Sequence, residues 1–226
     1  ECETAGKIGN TYSGSLEPLS AVSNVTAELT DIITDGADEE ADEALRERFY
    51  EKVRNPATSG NKHHYRQWAL EVPGVGDAKV FPLDSGDGTL TVLIVDVDKA
   101  RNPSLEPAVR DYIETVRPIG ATVTVSSPTM RSVNVSANVI LDGTKTLDDV
   151  LAMFKSQFTE YLKSLVFVEY RVSYAKIGSL LLNIEGVQDY DDLRLNNSTG
   201  NIIVGEKEIP AMGTVSLEEV HTIAAD

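Results

Sequence analysis

Apolar residues along the chain recur in two rhythms, a step of three or four and a step of two, and the switches between them mark the elements. In TDGADEEADEALRERFYEKV, Leu45, Phe49 and Val53 step by four and make one apolar stripe. Asp38 is a candidate N-cap there, and acidic residues fill the first turn, where the helix dipole favours them. Glu43 and Arg46 stand three apart, close enough to pair. HHYRQWALEV reads as a short second helix stopped by Pro73 and Gly74, with Tyr65 and Trp68 as core anchors. In NPSLEPAVRDYIETVRP, residues 102–118, Ser104 can cap a third helix and Pro107 fits its first turn, while Val109, Ile113 and Val116 face inward. TLDDVLAMFKSQFTEYLKSL, 146–165, is the strongest helical pattern: Thr146 caps it, and a buried stripe runs from Leu147 through Phe154 and Phe158 to Leu165. VSYAKIGSLLLNI follows as a fifth helix capped by Ser173.

The step of two marks strands. VGDAKVFPL and TLTVLIVDV are separated by DSGDG, whose residues accept positive φ, so the pair reads as a hairpin. The second run is apolar nearly throughout, as in a central strand covered on both faces. VNVSANVILDG, 133–143, alternates clearly, and DYDDLRL follows the fifth helix. NIIVG and TVSL are short strand candidates around Pro210, and TYSGSL and NVTAELT alternate weakly near the start. RPIGATVTV, 117–125, joins the third helix to a strand: Pro118 forces Arg117 out of the helical region, and Gly120 takes the reversal. Thr122 and Thr124 then share one face, Val123 and Val125 the other. Chain direction alone explains this turn.

Two stretches repeat an order of parts: strand, capped helix, loop, second helix, Gly-Val, strand, over 23–83 and again over 133–195. The pattern predicts an α+β protein of two related modules, each with helices packed on a mainly antiparallel sheet. The expected division is a short β-rich N-terminal segment, 1–36, the remnant of a longer chain, then a first module over 37–128 and a second over 129–226.

Charge narrows the function classes. With 36 acidic residues against 20 basic ones the net charge is −16, which repels nucleic acid and anionic membranes. Cys2 is the single cysteine, so no intramolecular disulfide and no cysteine metal site can form. His63 and His64 are adjacent, and neighbouring helical side chains diverge by about 100°, unlike ligands three or four apart. Asp96 and Asp98 share a strand face, yet the twelfth position counted from Asp96 is Pro107, not the Glu of a calcium loop. PGVGDAK lacks phosphate-loop spacing and leads into a strand. The sequons at Asn24 and Asn134 have no secretion signal beside them. No catalytic, cofactor-binding or metal-binding residue is expected. The competing readings are an acidic protein-binding or adhesion module, and a metal-dependent hydrolase built on Asp96, Asp98 and the two histidines.

YRQWALEVPGVGDAKVFPL, the Gly-rich hairpin, TLTVLIVDVD and VRPIGATVTV together resemble the baseplate J-like family of phage tail proteins. TDGADEEADEALRERFYEKV before them and VSYAKIGSLLLNIEGVQDYDDLRLN after them extend the resemblance over nearly the whole chain, as the middle and C-terminal portions of that family. It implies a non-enzymatic wedge component of a contractile phage or prophage tail baseplate, built in the bacterial cytoplasm and carried in the virion. The implied partners are other baseplate and tail proteins and further copies of the chain, with no nucleic acid, membrane or cofactor. Contacts are expected at apolar tail positions such as Ile202, Ile203, Val204 and Met212, which could equally be core.

Overall fold

The computed structural model describes residues 14–16, 27–29, 39, 41–54 and 60–220, in a chain that divides into units 1–56 and 57–226. In the first unit β1 (Gly14–Leu16) pairs antiparallel with β2 (Ala27–Leu29), inside the two weakly alternating runs. Helix α1 (Asp42–Arg54) follows, with Asp42 and Glu43 in its first turn and an Arg46–Glu43 ion pair at 2.7 Å. Asp38, the expected cap, and Cys2 lie outside the described residues.

The second unit opens with α2 (Lys62–Glu71), capped by Asn61, whose side chain accepts the His64 N–H at 2.9 Å. The hairpin follows as β3 (Val75–Pro82) and β4 (Thr89–Asp96). A 3₁₀ turn, Pro103–Leu105, leads into α3 (Glu106–Val116) and β5 (Thr122–Ser126). These strands form one sheet in the order β3-β4-β5. Val92 and Ile94 of β4 pack with Tyr65 and Trp68 of α2 and with Val109 and Ile113 of α3, in a core where every one of these is buried. Val116, expected inward, is half-exposed in the last turn. The expected cap is missing: Ser104 lies inside a 3₁₀ turn begun by Pro103 and donates its N–H and hydroxyl to Asn102, which caps that turn, while α3 itself starts from Leu105 with no side-chain cap.

The second layer is β6 (Thr129–Leu141), α4 (Leu147–Leu165), β7 (Arg171–Val172), α5 (Tyr174–Leu182), β8 (Val187–Leu195), β9 (Ile202–Ile203) and β10 (Glu208–Glu219). Its main sheet has the order β10-β6-β8, and β7 pairs with β9. Val133, Val135, Ala137 and Val139 alternate inward from β6 onto Phe154 and Phe158 of α4 and Ile177 and Leu181 of α5. The two phenylalanine rings stack 5.5 Å apart. Thr146 and Asp149 close a reciprocal capping box on α4, and Ser173 accepts the Lys176 N–H on α5.

The fold is α+β, as the patterns predict, but both sheets are mixed rather than mainly antiparallel. β4 runs parallel to β5 and β6 parallel to β10, while β3 and β8 are the antiparallel partners. The reason lies in the connections: a hairpin delivers an antiparallel neighbour, whereas the α3 crossover returns the chain in the same direction. A second difference is β10, one strand of 12 residues running through Pro210 where only short pieces were expected. Proline has no N–H for a ladder, and β10 tolerates it because it lies at the sheet edge.

The RPIG turn serves the scaffold. Arg117 leaves the helix at φ −72°, ψ 151°, and its guanidinium donates to the Ala121 carbonyl at 2.6 Å and pairs with Glu114 at 2.7 Å. Gly120 takes φ 97°. Pro118 presses on Gly60, where an added Cβ would come within 2.7 Å of the ring.

Candidate assembly surfaces

The residues that could have carried chemistry are spent on local structure. His64 stacks on Trp68 with ring centroids 3.9 Å apart, and its Nδ1 accepts the Gly60 N–H at 3.3 Å, closing the loop before α2. Asp96 Oδ1 accepts the N–H groups of Asp98 and Ala100, so this carboxylate ties the turn after β4. Asp98 reaches out to Lys163 at 3.8 Å. Among the described residues no group of three or more His, Cys, Asp or Glu is placed to hold a metal. In PGVGDAK, Gly76 passes so close to β4 that a Cβ would meet the Asp96 carbonyl and the Val97 backbone; the glycine serves strand pairing. Asn134, in one sequon, uses its Oδ1 to accept the Thr214 N–H at the irregularity in β10, and its own N–H donates to Asn196.

The more informative geometry lies where the two layers of the second unit meet. Val95 on the far face of β4 is buried with Val166 and Ile209, and Phe167 packs against the three. This contact covers the second face of β4, which is why that strand is apolar on both. Two polar contacts flank it. Lys207 donates to both carboxylate oxygens of Asp84 at 2.5 and 2.7 Å, and the Thr91 hydroxyl donates to the same group at 2.7 Å. Those hydrogen bonds, Lys207 first and then Thr91, hold the Asp84 carboxyl below its usual value. Lys79 lies over the Tyr170 ring at 4.2 Å, and burial pushes its ammonium down despite the opposing pull of Glu206. Inside the first layer, Asp77 bridges Arg66 at 2.9 Å and Lys99 at 2.7 Å and also accepts the Ala78 N–H.

The apolar tail positions divide. Ile202 and Val204 are core, whereas Ile203 and Met212 are on the surface. Met212 joins the exposed Met130 along a shallow groove that also touches Leu162, Val166 and Ile209. Ile119, at the tip of the RPIG turn, is fully exposed. The Asp84–Lys207 clasp was not anticipated: it joins positions 123 apart, and no local pattern announces such a pair. Among the described residues no helix is long and apolar enough to cross a membrane.

Comparison with known proteins agrees with this architecture in order and extent. The Baseplate J-like central domain matches residues 57–127, the layer built on β3, β4 and β5, and the Baseplate J-like protein C-terminal domain matches 133–218, the layer built on β6. The chain is 34% identical over 229 residues to the phage-like element PBSX protein XkdT of Bacillus subtilis, covering 96% of this chain and 66% of that protein. It is 30% identical over 231 residues to baseplate protein gp47 of Escherichia phage Mu, covering 93% of this chain and 61% of that protein. The chain thus spans a little under two thirds of the length of these relatives. A chain in the cryo-EM structure of the anti-feeding prophage baseplate shares the fold, with a TM-score of 0.59 at 15% identity, over 87% of this chain and 46% of that one. Taken with the two α+β layers, these matches establish that the chain belongs to the baseplate J-like family, of which it holds the central and C-terminal domains.

Proposed function

We propose that this chain is a structural wedge subunit of a contractile phage or prophage tail baseplate. In this reading it acts by protein–protein assembly, with other baseplate and tail proteins and with copies of itself, and catalyses nothing. It is assembled in the bacterial cytoplasm and ends in the tail of the virion. The observation that supports the reading most is the junction between the two family domains. Val95, Val166 and Ile209 are buried together there, and Asp84 and Lys207 are clasped beside them. A scaffold has to hold its surfaces at fixed relative positions, and a desolvated apolar contact with a charge-assisted hydrogen bond does so. The phage Mu relative is itself named a baseplate protein, which supports the same role.

The test is made on particles. Contractile particles induced from a host carrying this gene are purified, their proteins quantified by mass spectrometry, and their baseplates imaged by cryo-microscopy. The chain is expected in the baseplate at a fixed copy number, and a deletion is expected to leave no complete tails. Complete tails formed without the chain would refute the role. Among the described residues the hydrolase reading gains no support from Asp96, whose Oδ1 is occupied by its own turn.

A further inference from the structure

We infer that Asp87–Gly88 is a site of spontaneous isoaspartate formation, and that the fold protects Asp142–Gly143 from the same reaction. The tripeptide Asp-Gly-Thr occurs at 87–89 and again at 142–144. The reacting sequence is therefore equal at the two places, and what separates them is hydrogen bonding. Only two turns of the second unit are involved, whatever the assembly role of the chain.

The reaction joins a side chain to its own main chain. The Gly nitrogen attacks the carboxyl carbon of the preceding Asp. An N–C bond forms and a C–O bond breaks, and the oxygen leaves as water with the amide proton and the carboxyl proton. The product is a succinimide ring. Solvent water then opens the ring at either carbonyl. Opening at the α-carbonyl leaves the main chain running through the side-chain carbons, as isoaspartate; opening at the other restores Asp. Nothing is oxidised or reduced, and no other reagent is consumed. Glycine admits the attack because it has no Cβ beside its nitrogen. The carboxyl must be neutral and free to turn, and hydrogen bonds to a carboxylate oppose both.

At Asp142 both conditions fail. Its Oδ1 accepts the Thr144 N–H at 2.8 Å and the Thr144 hydroxyl at 2.6 Å, an Asx turn closed by two donors. The hydroxyl first and then the N–H hold the Asp142 carboxyl below its usual value. The Asp142 N–H is fixed as well, donating to the Gly186 carbonyl at 3.0 Å. At Asp87 the corresponding threonine turns away. The Thr89 N–H donates to the Gly86 carbonyl at 3.2 Å, and the Thr89 hydroxyl donates to the same oxygen at 2.7 Å. Asp87 is exposed, and among the described residues nothing donates to its carboxylate. The glycines themselves are alike, Gly88 at φ 73° and Gly143 at φ 84°. Among the described residues neither glycine N–H has a hydrogen-bond acceptor. Isoaspartate at 87 would add a methylene to the main chain of the loop that presents Asp84 to Lys207.

The test ages the full chain at neutral pH in water enriched in heavy oxygen, with and without urea. The chain is then digested in ordinary water and mapped by mass spectrometry. Ring opening leaves a solvent oxygen on the residue, so the label counts each passage through the succinimide. Methylation by an isoaspartyl carboxyl methyltransferase identifies the isomer. In the folded chain label should enter Asp87 at least about tenfold faster than Asp142, because Asp142 must first give up hydrogen bonds to a charged group. In urea the two rates should converge. Thr144→Val removes one donor and should speed Asp142 while leaving Asp87 as it was. Equal rates in the folded chain overturn the proposal, as does faster labelling of Asp142. So does an Asp87 that stays unlabelled while the chain in urea labels, and so does a difference that survives in urea, which would belong to flanking sequence. An Asp142 rate indifferent to Thr144→Val removes the protecting turn, and label at Asp87 without a methylatable product removes the isoaspartate. Asp35–Gly36, the remaining Asp-Gly pair, lies outside the described residues.

Discussion

At Gly76 a hydrogen fits between β3 and the Asp96–Val97 backbone at the end of β4. A Cβ there would press into a carbonyl oxygen that belongs to the paired strand and cannot swing away. Gly76→Ala should therefore cost about 3 kcal/mol, at the upper end for overpacking, read from the urea midpoint of the purified chain; a loss under about 0.5 kcal/mol, the range of neutral surface changes, would mean the strands can part. Asp77, its neighbour, presents a different kind of cost. Its side chain is 14% exposed and holds both Arg66 and Lys99. Asp77→Ala removes the carboxylate that the two cations share, while Arg66 keeps the Ala78 carbonyl and Lys99 the Gly76 carbonyl, and a loss of about 1.5–3 kcal/mol is expected, the range for hydrogen bonds to charged groups. The Arg110–Asp111 pair makes the comparison, because both partners are more than half exposed. Asp111→Ala should stay within about 0.5 kcal/mol. Equal losses at the two aspartates in denaturant titrations would contradict the distinction between a desolvated network and a solvated pair.

Helix α4 shows how much of an element rests on its first turn. Thr146 accepts the Asp149 N–H, and Asp149 Oδ2 accepts from the Thr146 hydroxyl and N–H, an arrangement that also holds the Asp149 carboxyl below its usual value. Thr146→Ala should cost about 1 kcal/mol and Thr146→Ser much less, since serine keeps the acceptor; matching losses in thermal melts would remove the cap from the explanation. Caps of this sort were legible beforehand because they are local: Thr146 and Ser173 act within three residues of themselves. The stripes of α3 and α4 were legible for the same reason. Ser104 shows the limit, since Pro103 starts a 3₁₀ turn that absorbs it, Asn102 caps that turn, and α3 is left without a side-chain cap. The parallel pairing of β6 with β10 was beyond any local pattern, because its register joins Thr129 to Glu208 across the whole second layer. Ile202 and Ile203 make the point most sharply: adjacent, chemically identical, one in the core and one in solvent, assigned only by which strand face meets α4 and α5.

Across the whole second unit, the question is whether its two layers unfold together. The family was legible from the motif order, but the junction on which the proposed scaffold role rests was not, because Asp84, Val95, Val166, Lys207 and Ile209 come from four separate stretches of chain. Two parts of that junction can be separated experimentally. The ionic part has a defined pH dependence. The Asp84 carboxyl titrates lower in the folded chain than in the unfolded one, where a value near 3.9 is usual. Its stabilisation is thus fully present above about pH 5 and is lost as pH falls through the unfolded and then the folded value. Asp84→Asn should flatten the fall in unfolding free energy between about pH 5 and pH 3 relative to the unaltered chain, and an unchanged slope would mean the clasp contributes nothing. The apolar part carries the larger share. Ile209→Ala removes one of three buried residues and should cost about 2–4 kcal/mol, the transfer loss plus the cavity left behind. That loss falls on the coupling between layers more than on either core, because Val92 and Ile94 on one side and Phe154 and Phe158 on the other keep all their neighbours. In the unaltered chain calorimetry should give one transition for residues 57–220, with van't Hoff and calorimetric enthalpies equal. In Ile209→Ala, and more so combined with Asp84→Asn, the van't Hoff value should drop below the calorimetric one as the less stable layer melts first. A single two-state transition in the double variant would mean that the layers are coupled elsewhere, and the junction would lose its claim to rigidity.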